Sequence, residues 1–67
     1  MIITYTYETK KGINKEVFDS KGYVTLTRNG KHIYEHQFST LGVEAQRLQL
    51  EVQLLKYGIK AEKVETV

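Results

Sequence analysis

The sequence predicts a small α+β domain, an antiparallel meander of three to four strands packed on one C-terminal helix. Residues 2–36 alternate apolar and polar side chains in short runs separated by Gly-containing turns, the period of half-buried strands. Residues 41–57 change to Leu, Gln, Glu, Ala, Arg and Lys, which are strong helix formers. Every connection between the strands is too short for a parallel crossover, so the pairing is antiparallel. At 67 residues the chain makes one domain, residues 1–67, near the lower size limit for a core without disulfide or metal.

Residues 2–8 alternate strictly, with Ile3, Tyr5 and Tyr7 on one side and Ile2, Thr4, Thr6 and Glu8 on the other. Lys10-Lys11-Gly12 reads as a turn, residues 13–18 resume a strand, and Asp19-Ser20-Lys21-Gly22 reads as a second turn. Asn29-Gly30 then sits between two β-rich runs. Both central residues of a type I′ turn need positive φ, which Asn and Gly tolerate best, so a tight hairpin follows. Counting outward from Arg28 opposite Lys31, Thr27 faces His32, Leu26 faces Ile33, Thr25 faces Tyr34, Val24 faces Glu35 and Tyr23 faces His36. One face of the hairpin is then aliphatic, and the other aromatic and polar.

For the helix, Thr40 offers an N-cap and Gly58 a stop. A rival strand reading rests on Leu48, Leu50, Val52 and Leu54 alternating with polar residues, but length and capping favour the helix. Two apolar stripes lie on nearly opposite sides of it: Leu41, Ala45, Leu48, Val52 and Leu55 on one, and Val43, Leu50, Leu54 and Tyr57 on the other. One sheet cannot bury both. The first is expected to face the sheet, giving a core of Val24, Leu26, Ile33, Phe38, Leu48, Val52 and Leu55. The second, Val43, Leu50, Leu54 and Tyr57, is expected to pack under the first strand or the tail, or to form a homodimer interface. Residues 59–67 alternate weakly, as an added edge strand or a frayed tail.

Composition narrows the chemistry. With no cysteine, disulfides, thiolate metal sites and cysteine nucleophiles are excluded, with a lean towards the cytoplasm. No apolar run reaches the length of a membrane span, and residues 1–4 lack the features of a signal peptide. A soluble, unprocessed chain with no membrane partner is expected. Ser20 and Ser39 lack a nucleophile-elbow pattern and the glycines are isolated, so neither catalysis nor a phosphate-cradling loop is expected. In the inferred strand His32 and His36 share a face about 13 Å apart, too far for one metal ion. No metal or cofactor is expected.

The net charge is +2, but Lys10, Lys11, Lys15, Lys21, Arg28 and Lys31 face only Glu16 and Asp19 within their stretch. Lysines at turns can serve solubility and edge protection, and Tyr and Thr suit solvent-facing strands. The same residues can also bind. Aromatic rings on an open sheet stack on bases or side chains, while flanking cations neutralise phosphates. The candidate partner-binding set is Lys21, Tyr23, Thr25, Thr27, Arg28, Lys31, His32 and Tyr34, with His36 on the same face.

Val17-Phe18-Asp19-Ser20-Lys21-Gly22-Tyr23-Val24-Thr25-Leu26-Thr27-Arg28-Asn29-Gly30-Lys31, then Phe38-Ser39-Thr40 and a helix carrying Glu44-Ala45, resembles the three-stranded DNA-binding domain of plant ethylene-response factors and of tyrosine-integrase arm-site-binding domains. The resemblance covers residues 13–57. It implies that the sheet face opposite the helix enters the major groove, with Tyr23, Thr25, Thr27, His32 and Tyr34 outward and Val24, Leu26, Ile33 and Phe38 towards the helix. The expected function is a non-catalytic accessory DNA-binding protein of phage or mobile-element type. This face carries Thr, Tyr and His where that family bears arginines and a tryptophan. A second class therefore stays open, a phage-encoded protein-binding module or inhibitor of a host nuclease or defence enzyme. The expected partners are thus duplex DNA or a host protein, and a second copy of the chain.

Overall fold

Alternation and turn chemistry produce β1 (Ile2–Thr9), β2 (Gly12–Asp19), β3 (Tyr23–Arg28) and β4 (Lys31–Gln37), followed by α1 (Thr40–Lys56) and β5 (Ala61–Thr66). The computed structural model of the protein describes residues 1–67. All five strands join one antiparallel sheet in the order β4-β3-β2-β1-β5, with α1 across one face. The meander has four strands, and the weakly alternating tail is the edge strand β5, paired with β1 from Ile2 opposite Thr66 to Tyr7 opposite Ala61. No helix is long and apolar enough to cross a membrane.

Asn29 (φ 52°) and Gly30 (φ 79°) form the expected positive-φ turn, with Arg28 opposite Lys31 and Thr27 opposite His32. Beyond that pair the register slips by one. Leu26 meets Tyr34 rather than Ile33, Thr25 meets Glu35, Val24 meets His36 and Tyr23 meets Gln37. Ile33 is the extra residue of a β-bulge and is exposed, not part of the core. A one-residue slip reverses every later side chain. Tyr34 and His36 therefore lie on the helix side, where the His36 ring packs on Phe38 at 4.5 Å. His32 and His36 are on opposite faces. A bulge on an edge strand also disrupts its outward row of backbone groups, which discourages pairing with another chain.

Ser39, one residue before Thr40, caps the helix: its Oγ accepts from the Gly42 N–H at 3.0 Å. At the other end Gly58 (φ 65°) donates to the Leu55 carbonyl and Ile59 to the Leu54 carbonyl. This is the Schellman arrangement, with Ile59 packed beside the core. It turns the chain back towards β1.

The two helix stripes are assigned opposite to expectation. Val43, Leu50 and Leu54 are buried on the sheet with Tyr5, Phe18 and Val24. Tyr57 is exposed, and Leu41, Leu48, Val52 and Leu55 face solvent. Polar anchors fix this choice. Arg47 and Glu51 flank the inner stripe and reach the buried Tyr5, whose hydroxyl donates to Glu51 Oε2 and accepts from Arg47 Nη1. Rotating α1 by half a turn would break that network and strand the Tyr5 hydroxyl under apolar side chains. Val24, Leu26 and Phe38 keep their expected inward positions, with Val24 and Leu26 buried and Phe38 packed against the core. Tyr5 and Phe18 meet edge to face at 5.6 Å.

Candidate nucleic-acid interface

The β1–β2 and β3–β4 turns lie side by side because two asparagines bind them together. The Asn29 backbone N–H donates to the Ile13 carbonyl at 2.8 Å, and Asn29 Oδ1 accepts from the Ile13 N–H at 2.9 Å. Asn14 is almost wholly buried. Its Nδ2 donates to Thr9 Oγ1 and to the Gly12 carbonyl, while its Oδ1 accepts from Arg28 Nε at 2.7 Å. Buried amides satisfied on both ends specify geometry strongly. Gly12 (φ 131°) leaves room for Asn29, whose side chain would lie within 2.7 Å of any Cβ added there.

The result is a basic corner. Lys10 and Lys11 on one turn lie at the same end of the sheet as Arg28 and Lys31 beside the other. Arg28 and Lys31 stand in the row of Asn14 on the helix side, whereas Lys15 stands on the open face, in a row with Thr27 and His32. None of these cations forms an ion pair. The ion pairs involve Arg47 and Lys63 with Glu44, Glu51 and Glu65 elsewhere. Tyr23, Thr25, Thr27 and His32 share the open face as expected. Arg28 is held against Asn14 at the corner. Lys21 sits in the β2–β3 turn at the other end of the sheet, where its N–H donates to Asp19 Oδ1, about 17 Å along β3 from the corner. Lys10, Lys11 and Lys15 belong to the cluster although the sequence set omitted them. The spacing of Asn14 and Asn29 beside two turns is the signal that could have found them.

Tyr34 lies behind this face, in a cleft of about 250 Å³ between α1 and the sheet. Tyr7, Glu16, Tyr34, Gln46, Gln49 and Gln53 line it above Leu50. The Tyr7 hydroxyl donates to Glu16 Oε1 at 3.0 Å. Burial pushes the Glu16 carboxyl above its ordinary value, against the opposing effect of the tyrosine hydroxyl. Burial, and then the Glu16 charge, raise the Tyr7 and Tyr34 hydroxyls as well. A carboxyl raised on folding favours the folded state below its unfolded pKa, and that contribution is lost as pH rises through the folded value. Glu16→Gln keeps an acceptor for Tyr7 and removes the buried charge. Its melting temperature should exceed that of the wild type at pH 7, with the gap closing as pH falls through the raised Glu16 value and absent well below 4.5, the ordinary carboxylate value. Equal melting temperatures at neutral pH would show that Glu16 is not desolvated.

The open face is not uniformly basic. Its rows run Val64–Thr4–Val17–Thr25–Glu35 and Glu62–Thr6–Lys15–Thr27–His32, with Ile2 beside Asp19 and Glu8 beside Ile13. Positive charge is concentrated at the corner, where Glu8 also lies, and further carboxylates occur along the rest of the face. Comparison of the chain with protein-family models, curated proteins and solved structures gives no match.

Proposed function

We propose that the protein is a small non-catalytic DNA-binding module that grips duplex backbone at the basic corner and lays the β2–β3–β4 side of its open face along the groove. The docking of the two turns through Asn14 and Asn29 carries this reading. It brings Lys10, Lys11 and Lys15 to one end of the sheet together with Arg28 and Lys31, the last two on its helix side. None of the five forms an ion pair, and each lysine that meets a phosphate releases counterions. Thr25, Thr27, His32 and Tyr23 supply hydroxyl, imidazole and ring contacts beside it. With no arginine pair aimed from the face, sequence preference is weak and backbone binding dominates.

Fluorescence anisotropy against mixed-sequence duplex at a series of salt concentrations tests this. Affinity should fall steeply with salt, and Lys11→Ala with Lys31→Ala should make the log–log slope shallower by about 2. Lys21→Ala, at the far end of the sheet, should leave affinity nearly unchanged. The carboxylates Glu8, Asp19, Glu35 and Glu62 among exposed Ile2, Ile13 and Val64 favour a second reading, docking of a protein on this face. A chain of that kind would show no duplex affinity at any salt concentration.

A further inference from the structure

The outward side of α1 carries apolar residues at spacings of four, three, four and three: Leu41, Ala45, Leu48, Val52 and Leu55. Their exposures are 84% for Leu41, 51% for Leu48, 62% for Val52 and 83% for Leu55, so nothing within the chain covers them. The strip runs about 21 Å along the helix. A sheet-facing helix surface is broader than this, whereas a two-position seam repeating every seven residues is the pattern by which one helix packs on another.

The geometry points to a second copy of this chain as the occupant, with the two α1 helices side by side and parallel. In heptad terms Leu41, Leu48 and Leu55 fall at d, and Ala45 and Val52 at a; Leu at d with the β-branched Val52 at a suits a two-stranded parallel pair, and Ala45 leaves room for close approach. The flanking charges select the same direction. Parallel alignment sets Glu51 at g against Lys56 at e of the other copy, twice by symmetry, and Glu44 against Gln49. Antiparallel alignment sets Glu51 against Glu51, or Glu44 against Glu51 in the alternative register, which repels. Within its own chain Glu51 engages Tyr5, Arg47 and Lys63 through Oε2 only, so Oε1 remains for the partner lysine. Each sheet lies on the far side of its own helix, and the pair stacks as sheet, helix, helix, sheet. Both basic corners then emerge at the same end of the dimer. The dimer does not depend on what those corners bind.

Sedimentation equilibrium should give a mass of twice 7.8 kDa at high protein concentration. Leu48→Glu with Leu55→Glu should weaken association by about 100-fold or more with an unchanged far-ultraviolet dichroism spectrum, because both side chains are exposed in the single chain. The chain has no cysteine, so Val52→Cys provides a direction test that does not rely on the double variant folding. Residue 52 meets its own counterpart only in the parallel pair, and mild oxidation should link the chains there, whereas Gln53→Cys should not link. A wild-type chain that stays at 7.8 kDa even at millimolar concentration would assign the strip to a different protein and overturn the proposal. Failure of Val52→Cys to link in a dimer would overturn the parallel arrangement.

Discussion

Leu50→Glu should abolish the folded state. Leu50 is buried between α1 and the sheet with Tyr5, Phe18, Val24 and Leu54, and losing that burial costs about 1.5–3 kcal/mol. The introduced carboxylate would also sit in the same cleft as Glu16, where desolvation and like-charge repulsion add several kcal/mol, roughly. A domain of this size has about 3–5 kcal/mol in total from its core. Circular dichroism and amide dispersion in nuclear magnetic resonance should therefore report an unfolded chain. Leu48→Glu, on the opposite side of the same helix, should remain folded. The reverse outcome, a folded Leu50→Glu and an unfolded Leu48→Glu, would mean that α1 packs through its other stripe.

Gly22→Ala should destabilise the domain by about 3 kcal/mol or more. Gly22 adopts φ 113°, a region that costs an L-residue about 1–3 kcal/mol. A Cβ there would lie 2.4 Å from the Phe38 carbonyl oxygen. That obstacle is main chain, and it is held in place: the Phe38 N–H donates to the Gly22 carbonyl at 2.7 Å and Ser39 caps α1 immediately afterwards. Relief of the clash must separate the β2–β3 turn from the junction of β4 and α1. Gly30→Ala provides the comparison, since its φ is 79° but nothing lies within 4 Å of the added carbon, and it should lose only about 1 kcal/mol. Chemical denaturation of the two variants should separate them clearly. Equal midpoints would show that the Gly22 contact relaxes freely.

The strands, the Asn29-Gly30 turn and the helix were legible because each has a local cause: a two-residue period, positive-φ residues and strong helix formers. The bulge was not. Leu26 and Ile33 look like natural partners in sequence, and Tyr34 is favoured on the inner side by Glu16, a residue distant along the chain, while His36 packs on Phe38 only once the slip has turned it inward. This is why Tyr23, Thr25, Thr27 and His32 share the open face while Tyr34 does not. The choice of helix stripe was hidden for a related reason. Both stripes are comparably apolar, and the deciding contact joins Tyr5 to Arg47 and Glu51 across more than half of the chain. A long-range polar bond of this kind leaves no periodic trace. The basic corner was half visible: the lysines at the turns stood out, but their convergence depends on two asparagines whose side chains act between strands.

Because β5 pairs with β1, Ile2 lies beside Thr66, and both ends of the chain emerge together beside the β2–β3 turn, away from the Asn29 turn. A short peptide could bridge them, and the circuit of strands and helix would then have no required beginning. The fold is thus suited to being spliced into a surface loop of a host protein, entering and leaving through one narrow doorway while its lysine-bearing end projects outward.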